Sequence, residues 1–326
     1  MGKRLRYLIC ISIALLGIGQ VVFSQPAPNV DENIPNLMVF GKNAPTSWGD
    51  DDFSQTFFFL VPKDFNKPVF VRVYDPDIGG AEDEINGVWD TKSTFMIFGG
   101  KGCWSDKDAQ GSDPVGNYKS GTMLATKTFG EEVRYDKSYY TFGPFNPNEG
   151  EYSERFDKNV FKIICEGVEG DDGNLFRYYL STDPNSNKPV EGGNAVAYEY
   201  SFRMHNTAEE VSHIYPFVDD RTIYVRIYDF DWDDDGYIRI VSVDRNGQLS
   251  KVSGEDNWVE TPFKIQEAEK NTSLDVQFIK RKNPVVKNNN VVIYIRNQYN
   301  ENLEFFTSHI GGVPKYKYSI QAKPAN

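Results

Sequence analysis

An internal repeat constrains the fold of this 326-residue chain more than any other feature of its sequence. The stretch VFVRVYDPD at residues 69–77 returns as IYVRIYDFD at residues 223–231. Without a gap, residues 62–77 and 216–231 share one Pro, one Val, one Arg, one Tyr and two Asp. Repetition on this scale indicates that one structural unit occurs twice.

Both copies of the repeat have the pattern of a β-strand. β-Branched residues alternate with aromatic residues and arginine in both copies. The β-branched residues are Val69, Val71 and Val73 in the first copy and Ile223, Val225 and Ile227 in the second. A period of two places the branched residues on one face, which is typical of a half-buried strand.

Two further matches extend the repeat. Residues 159–163 resemble 290–295, and residues 198–202 resemble 316–320, in the same order along the chain. Short strands separated by turn residues favour an all-β fold of sandwich type. We therefore predict two tandem antiparallel β-sandwich domains that arose by internal duplication, at residues 52–204 and 205–326, after a polar lead-in at 25–51.

Residues 1–24 have the pattern of a secretory signal peptide. A basic start, Met-Gly-Lys-Arg, precedes an apolar run from Tyr7 to about Ile18, and Ser24 suits the cleavage position. The run is interrupted by glycine and is shorter than the roughly 20 residues of a membrane span. We expect an exported protein with no membrane span in the mature chain.

The charge of the chain limits its partners. The sequence has 47 acidic residues against 35 Lys and Arg, and a formal net charge of −12. Such a balance argues against nucleic acid, whose phosphates attract basic surfaces, and against direct binding to anionic lipid. Divalent cations remain compatible with it.

Two cysteines follow the predicted leader, Cys103 and Cys165. In an oxidising compartment they predict a disulfide that closes a long loop, which typically contributes about 2–4 kcal/mol. The alternative is a pair of buried free thiols.

The second copy of the repeat runs into a dense group of carboxylates. Asp231, Asp233 and Asp235 alternate before Gly236, and Asp229 precedes them. Oxygen ligands at alternate residues before a glycine are typical of calcium loops. The twelfth position is Ser242 instead of Glu and no helices flank the loop, so it is not an EF-hand. These four residues are a candidate Ca²⁺ site, and the alternative is a solvated acidic turn.

The first copy ends in a weaker version of the same pattern. Asp75 and Asp77 follow the strand, but Gly79 and Gly80 separate them from the acidic residues 82–84. We rank Asp75 and Asp77 as a second, weaker metal site. The acidic turn at residues 169–174 is a further candidate for the same end of the domain.

Signatures of known enzyme classes do not occur. The three histidines are isolated, and neither a zinc-binding HExxH nor a Gly-x-Ser-x-Gly elbow is present. We predict a protein without catalytic residues or an organic cofactor. Tryptophans that could stack on sugars keep a carbohydrate-binding module open as an alternative, namely Trp89, Trp104, Trp232 and Trp258.

Four segments carry a resemblance to a known family. Residues 68–80, 83–87, 141–147 and 166–174 are similar to the N-terminal β-sandwich regions of OmpA-like proteins exported by Bacteroidota, some of which are associated with gliding motility and type IX secretion. The resemblance implies a non-enzymatic binding or scaffold role in the cell envelope, with envelope proteins as partners. It supplies no catalytic residues.

The resemblance also implies a location. Neither an OmpA-like peptidoglycan-binding domain nor a type IX sorting domain is recognised in the sequence. We therefore expect the periplasm or the periplasmic side of the outer membrane, with the cell surface as the alternative.

Overall fold

The computed structural model describes residues 26–232 and 236–311. Three predicted features lie outside these ranges. They are the leader at 1–24, the candidate ligands Asp233 and Asp235, and the repeat match at 316–320. Within them the chain forms strands and short 3₁₀ helices, and it has no α-helix.

The strands follow one another in chain order and are numbered here from β1 to β22. They are β1 Pro26–Ala27, β2 Asn36–Phe40, β3 Ser54–Pro62, β4 Val69–Tyr74, β5 Lys92–Gly99, β6 Thr122–Phe129, β7 Tyr139–Phe145, β8 Glu151–Ser153, β9 Lys158–Glu169, β10 Gly173–Ser181, β11 Asn194–Ala197, β12 Glu199–Arg203, β13 Val211–Ile214, β14 Phe217–Val218, β15 Tyr224–Phe230, β16 Gly236–Val241, β17 Gln248–Leu249, β18 Trp258–Lys264, β19 Thr272–Ser273, β20 Asp275–Lys280, β21 Asn290–Asn297 and β22 Phe305–Phe306. The 3₁₀ helices are Val30–Glu32, Thr46–Trp48, Asp108–Gln110, Val133–Tyr135, Pro147–Glu149 and Glu267–Glu269.

The strands assemble into antiparallel sheets, which confirms the predicted all-β class. A nine-stranded sheet has the order β18-β15-β21-β12-β2-β10-β4-β7, with β1 beside β10. A seven-stranded sheet has the order β22-β11-β3-β9-β5-β6, with β8 beside β9. The order β13-β20-β16-β17 forms a four-stranded sheet, and β14 pairs with β19.

The core lies between these sheets and is rich in aromatic rings. Val71 and Val73 of the nine-stranded sheet and Phe57 and Phe95 of the seven-stranded sheet belong to one buried cluster. Tyr178 meets Phe57 edge-on, with 5.6 Å between ring centroids. The same cluster includes Val225, Ile227 and Phe278 of the second repeat, so the apolar core is continuous along the chain.

The nine-stranded sheet joins the two predicted halves. β12, before the predicted boundary at residue 204, pairs with β21 after it through Glu199–Arg203 and Asn290–Tyr294. On its other edge β12 pairs with β2. The halves therefore share a sheet, and their division into two tandem sandwiches remains a prediction.

The polar lead-in contains a central strand. Residues 36–40, inside the predicted lead-in of 25–51, form β2 between β10 and β12, and every residue of β2 is buried. The apolar run 37–40 stands out within the polar lead-in, but four apolar residues alone do not indicate that the strand lies in the middle of a sheet.

The repeated strand is visible twice in the nine-stranded sheet, whereas one of the two further matches does not correspond to equivalent strands. β4 lies between β7 and β10, and β15 lies between β18 and β21. The predicted equivalence of residues 159–163 with 290–295 is wrong, because β9 belongs to the seven-stranded sheet and β21 pairs directly with β15. Apolar alternation alone does not say which of two sheets a strand joins.

Cys103 and Cys165 do not form the predicted disulfide. Both are buried and free. Cys103 packs with Met96, Phe98 and Ile164 on one face of the seven-stranded sheet, whereas Cys165 faces the main core. Because Ile164 and Cys165 are neighbours on β9 and point to opposite faces, the sheet separates the two thiols.

In the described ranges, no helix is long and apolar enough to cross a membrane.

Replacing Leu37 by Ala tests the central position of β2. Leu37 is fully buried beside Phe176 and Phe202, so we expect a loss of about 2–5 kcal/mol in the free energy of unfolding. Urea denaturation measures it. Val30→Ala is the control, because Val30 is 84% exposed and should change stability by less than about 0.5 kcal/mol. Equal effects of the two changes would contradict the placement of β2.

Thiol titration tests the separation of the cysteines. A chain comprising residues 25–326, prepared without reductant, should release two titratable thiols on denaturation and almost none when native, because Cys103 and Cys165 are both free and buried. A denatured sample with no free thiol would show that the bridge forms.

Candidate cation sites at the strand ends

The end of β4 brings three carboxylates together. Asp75 adopts a left-handed conformation with φ 55°, and its Oδ1 accepts a hydrogen bond from the Lys137 N–H at 2.9 Å. Asp77 Oδ2 accepts one from the Glu132 N–H at 3.1 Å. Asp136 joins them, and oxygens of Asp75, Asp77 and Asp136 lie within 4.8 Å of one another. We call these three residues the first acidic cluster.

The first acidic cluster is largely shielded from solvent. Asp75 is 2% exposed and Asp77 is 1% exposed. Burial raises the pKa of Asp75 to about 6. Burial raises the pKa of Asp77 to about 7, and the nearby Asp136 acts in the same direction. Asp77 Oδ1 is buried without a hydrogen-bond partner, which leaves one carboxylate oxygen available to a cation.

Asp136 did not emerge from the sequence patterns, although its position could have been found. It lies three residues before β7, and the pairing of β7 with β4 brings Tyr139 opposite Tyr74. An antiparallel neighbour begins where its partner ends, so acidic residues just before β7 are brought beside Asp75 and Asp77. Predicting this requires knowing that β4 and β7 pair.

The acidic residues 82–84 serve other purposes. Glu82 forms an ion pair with Lys137 at 3.2 Å. Asp83 accepts hydrogen bonds from the Gly79 and Leu175 N–H groups, and Glu84 pairs with Arg203. These contacts hold the loop against β10 and β12, and the residues themselves are not members of the first acidic cluster.

The second repeat uses its strand-end carboxylates in a related way. Asp229 is fully buried, and its Oδ2 accepts a hydrogen bond from the Ser253 N–H at 2.7 Å. Asp231 Oδ1 accepts one from the Asp256 N–H at 2.6 Å. Burial raises the pKa of Asp229 to about 6, and its Oδ1 has no hydrogen-bond partner.

The two repeats therefore share one arrangement of carboxylates and backbone N–H donors. In each, two carboxylates at the end of a strand receive N–H groups from the segment that leads into the neighbouring strand, which is β7 in the first repeat and β18 in the second. Carboxylate oxygens are ligands that hard cations prefer. The structure brings Asp75 close to Asp77, whereas the four-residue grouping of Asp229 and Asp231 with Asp233 and Asp235 lies partly outside the described residues.

The acidic turn at 169–174 is organised by backbone donors. Asp172 accepts hydrogen bonds from the N–H groups of Asn86, Asp90 and Thr91. Asp90, Asp171 and Asp172 lie close enough to share a cation, but both oxygens of Asp172 already have donors. We therefore interpret this turn as a structural one.

The tryptophans proposed for sugar stacking have different environments. Trp232 is fully buried and meets Phe278 edge-on, so its proposed role in stacking on a sugar is wrong. Trp104 donates a hydrogen bond to the Tyr198 hydroxyl at 3.1 Å and packs on Phe156. Trp89 and Trp258 remain partly exposed.

Trp258 belongs to a surface on the outer face of the nine-stranded sheet. This aromatic–arginine patch comprises Arg226, Tyr228, Trp258, Tyr294 and Arg296. The rings of Tyr228 and Tyr294 stack at 4.7 Å, and Trp258 lies 4.9 Å from Tyr294. The Arg296 guanidinium lies 4.5 Å from the centroid of the Tyr294 ring. The opposite sides of these strands supply core residues such as Ile227 and Ile293.

A cleft of about 560 Å³ lies close to this patch along β21. Its lining includes Asn297, Tyr299, Asn300 and Asn302. Two of its arginines are paired with carboxylates, Arg155 with Glu304 and Arg221 with Asp219, and Lys107 and Arg296 also line the cleft.

Comparisons with known proteins leave the family open. No protein-family model matches the chain, and no curated protein matches it. The chain is similar to one in the cryo-EM atomic structure of Broad Bean Stain Virus, with 8% sequence identity and a TM-score of 0.21, over 96% of this chain and 98% of that chain. A likeness this weak carries no argument about function.

The first acidic cluster predicts a dependence of stability on pH. Asp75 and Asp77 have pKa values raised from 3.8 to about 6 and about 7, so the folded state holds their protons more tightly than the unfolded state. Their stabilising contribution is full below pH 3.8 and is lost as pH rises through 6 and 7. In chelator we expect the melting temperature to fall between pH 5 and pH 8.

Asp77→Asn should make this fall shallower without abolishing it, because the buried Asp229 titrates in the same window. Asp64→Asn, at an exposed position, is the control and should leave the slope unchanged. Millimolar Ca²⁺ should raise the melting temperature of the wild type more at pH 8 than at pH 5. Identical slopes for wild type and Asp77→Asn would contradict the interpretation of the cluster.

Proposed function

We propose that the protein is a non-enzymatic binding or scaffold protein of the bacterial cell envelope. The observation that carries the proposal is the aromatic–arginine patch on the nine-stranded sheet. Tyrosine, tryptophan and arginine are the residues that most often dominate the energy of protein–protein interfaces. The partner is an envelope protein, and the resemblance of four segments to Bacteroidota envelope proteins favours an accessory of a gliding-motility adhesin or of the type IX secretion machinery.

The patch is already ordered, which favours binding. Stacking of Tyr228 on Tyr294 and the Arg296 guanidinium above them restrict side chains that would otherwise lose freedom on association. Restricting a surface before it binds reduces the entropic cost of the complex. The supporting strand β21 is flanked by β15 and β12, so the platform is part of the interior of a sheet.

The first repeat has a counterpart on the same face of the sheet. Arg72 lies 4.2 Å from the ring centroid of Tyr139, and Arg177 lies 4.2 Å from that of Tyr74. The Tyr74 and Tyr139 rings are 5.2 Å apart. Two arginine–tyrosine surfaces at opposite ends of one sheet favour an elongated partner over a small ligand.

Calcium is the cation that we propose for the first acidic cluster and for the loop with Asp229, Asp231, Asp233 and Asp235. Ca²⁺ accepts irregular arrangements of six to eight oxygens, whereas Mg²⁺ requires a near-ideal octahedron. Binding would relieve the repulsion among desolvated carboxylates. Sites in extracellular modules have dissociation constants of roughly 0.1–1 mM, so a modest stabilisation is expected.

The alternative function is carbohydrate binding. The cleft along β21 favours it, because its lining includes Tyr299, an aromatic side chain that is 60% exposed and suited to packing on a sugar. The location that accompanies either function is the periplasm or the periplasmic side of the outer membrane, reached through the leader at 1–24, with the cell surface as the alternative.

Variants of the patch separate the two functions. We expect Tyr228→Ala with Tyr294→Ala to weaken the binding of an envelope partner at least tenfold, which corresponds to about 1.4 kcal/mol. The partner is captured from solubilised outer membranes and its affinity is then measured with purified components. Tyr152→Ala with Tyr237→Ala is the control, because both tyrosines are 50% exposed and lie on other strands.

The outcome that would contradict the proposal is equal affinity of the patch variant and the control variant. Specific binding on a glycan array, lost when Tyr299 is replaced by Ala and retained in the patch variant, would support the carbohydrate alternative instead.

A further inference from the structure

A second cleft lies on the outer face of the nine-stranded sheet, at the end formed by the first repeat. Its volume is about 770 Å³, and it lies along β7, the edge strand of that sheet. We call it the β7 cleft. Its lining comes from β4, from β7 with the residues before it, and from the segment after β10, and includes Phe70, Arg72, Lys137, Tyr139, Thr141 and Pro144.

The β7 cleft is cationic in a chain that is acidic overall. The chain has a formal net charge of −12, yet the described residues that line this cleft include Arg72 and Lys137 and no Asp or Glu. Asp183, the neighbour of the lining residue Pro184, is paired with Lys188. The lining therefore attracts an anion locally, against the charge of the whole protein.

The guanidinium of Arg72 is buried without a carboxylate partner. Arg72 is 6% exposed, and in the described ranges it forms no ion pair. Its Nε donates a hydrogen bond to the Thr141 hydroxyl at 3.3 Å, and its Nη1 donates to the Asn187 side-chain oxygen. Both acceptors are neutral. Because a buried charge is normally paired, this arrangement indicates that a ligand supplies the anion.

The position of this guanidinium is fixed from several sides. Its central carbon lies 4.2 Å from the centroid of the Tyr139 ring. Asn187 Nδ2 donates a hydrogen bond to the Tyr139 hydroxyl at 2.8 Å, and the Thr141 hydroxyl donates to the Pro184 carbonyl at 2.9 Å. Among the described residues, Nη2 of Arg72 has no acceptor. A donor that is already fixed in place loses little freedom when a ligand binds.

The second repeat has the same arrangement at its equivalent arginine. Arg226 corresponds to Arg72 in the repeat, and its Nη2 donates to Asn300 Oδ1 at 3.0 Å. Asn187 follows β10 and Asn300 follows β21, and these strands pair with β4 and β15 respectively. In the described part of the chain Arg226 forms no ion pair either. An arginine held by an amide oxygen and left without a carboxylate is thus a property of the repeated unit.

The edge of the sheet beside the cleft does not suit an extended peptide. Pro144 of β7 has no N–H to donate to an added strand, and the pairing of β7 with β4 shifts in register between Val69 and Val71. Such irregularities protect an edge from strand addition. The walls offer the half-buried ring of Phe70 and the hydroxyl of Ser138 instead. A sugar ring, with an apolar face and a rim of hydroxyl groups, matches these walls better than a peptide does.

We propose that the β7 cleft binds an acidic polysaccharide through a uronic acid unit, whose carboxylate is bound by Arg72 and Lys137. Guanidinium and ammonium groups bind carboxylates through charge-assisted hydrogen bonds. Lys137 is available, because its ion pair with Glu82 at 3.2 Å is exposed to solvent and such pairs contribute little. Phe70 and Pro144 would pack against the sugar ring. This site goes beyond the proposed protein-binding function and lies at the opposite end of the sheet from the aromatic–arginine patch.

Titration with defined oligosaccharides tests the ligand class. A chain comprising residues 25–326 is titrated by calorimetry with oligosaccharides of galacturonate, of glucuronate and of mannuronate. We expect saturable binding of at least one of these acidic series. Its methyl ester, which keeps the rings and removes the charge, should bind about tenfold more weakly or worse, because the charge-assisted hydrogen bonds are lost.

Variants of the cleft test the position of the site. Arg72→Gln/Lys137→Gln should weaken binding about tenfold or more. The matched control is Lys63→Gln/Arg134→Gln, which removes two cations with side chains 47% and 68% exposed that line neither cleft. The control variant should bind as wild type does.

Lys137→Gln alone keeps the test decisive if the change at the buried Arg72 disturbs the fold. Lys137 is exposed, so this variant should keep the melting temperature of wild type. It should weaken binding about threefold, as expected for loss of one exposed charge. Tyr299→Ala should leave this binding unchanged, because Tyr299 lines the cleft along β21 and not the β7 cleft.

Four results would overturn the proposal. They are the absence of saturable binding of all three acidic series to wild type, equal affinity of the cleft variant and the control variant, loss of binding in Tyr299→Ala, and tighter binding of poly-L-glutamate than of any acidic oligosaccharide. The last of these would assign the cleft to an acidic peptide. No envelope partner is present in these titrations, so failure here leaves the proposed protein-binding function untouched.

Discussion

Pairing of β12 with both β2 and β21 is the constraint on which the rest of the structure depends. It converts two repeats into one nine-stranded sheet and gives them a common core. The cost of the arrangement is that β2 must be buried on both edges and both faces although it lies in a polar segment. The aromatic–arginine patch lies beside this junction, so its geometry depends on the same hydrogen-bonded ladder.

Desolvated carboxylates recur at the ends of the strands. Asp50 and Asp172 have backbone N–H donors for both oxygens, and such donors stabilise the charged form. Asp77 and Asp229 each retain one buried oxygen without a donor. This difference in hydrogen-bond satisfaction distinguishes carboxylates that close a loop from carboxylates that remain able to bind a cation.

Local patterns in the sequence predicted where strands lie better than they predicted which strands pair with each other. Alternation located β4 and β15, and the repeat placed Asp75, Asp77, Asp229 and Asp231 at equivalent strand ends. These patterns missed Asp136, because its place beside Asp75 and Asp77 follows from the pairing of β4 with β7, two strands far apart in sequence. The disulfide prediction failed for the same reason, since spacing along the chain does not reveal that β9 presents Cys165 and Ile164 to opposite faces.

Buried carboxylates lie next to the aromatic–arginine patch. Trp258 belongs to the patch and lies near Asp51, whose pKa is raised to about 6 by burial while the Trp258 indole acts in the opposite direction. On the patch side its ring packs 4.9 Å from Tyr294, and Glu199 faces Tyr294 across the β12–β21 ladder. A change in the charge on Asp51 and Glu199 therefore acts on Trp258 and Tyr294, two residues of the patch. Linkage requires any such effect to be reciprocal, so a partner bound at the patch would change the pKa values of these carboxylates.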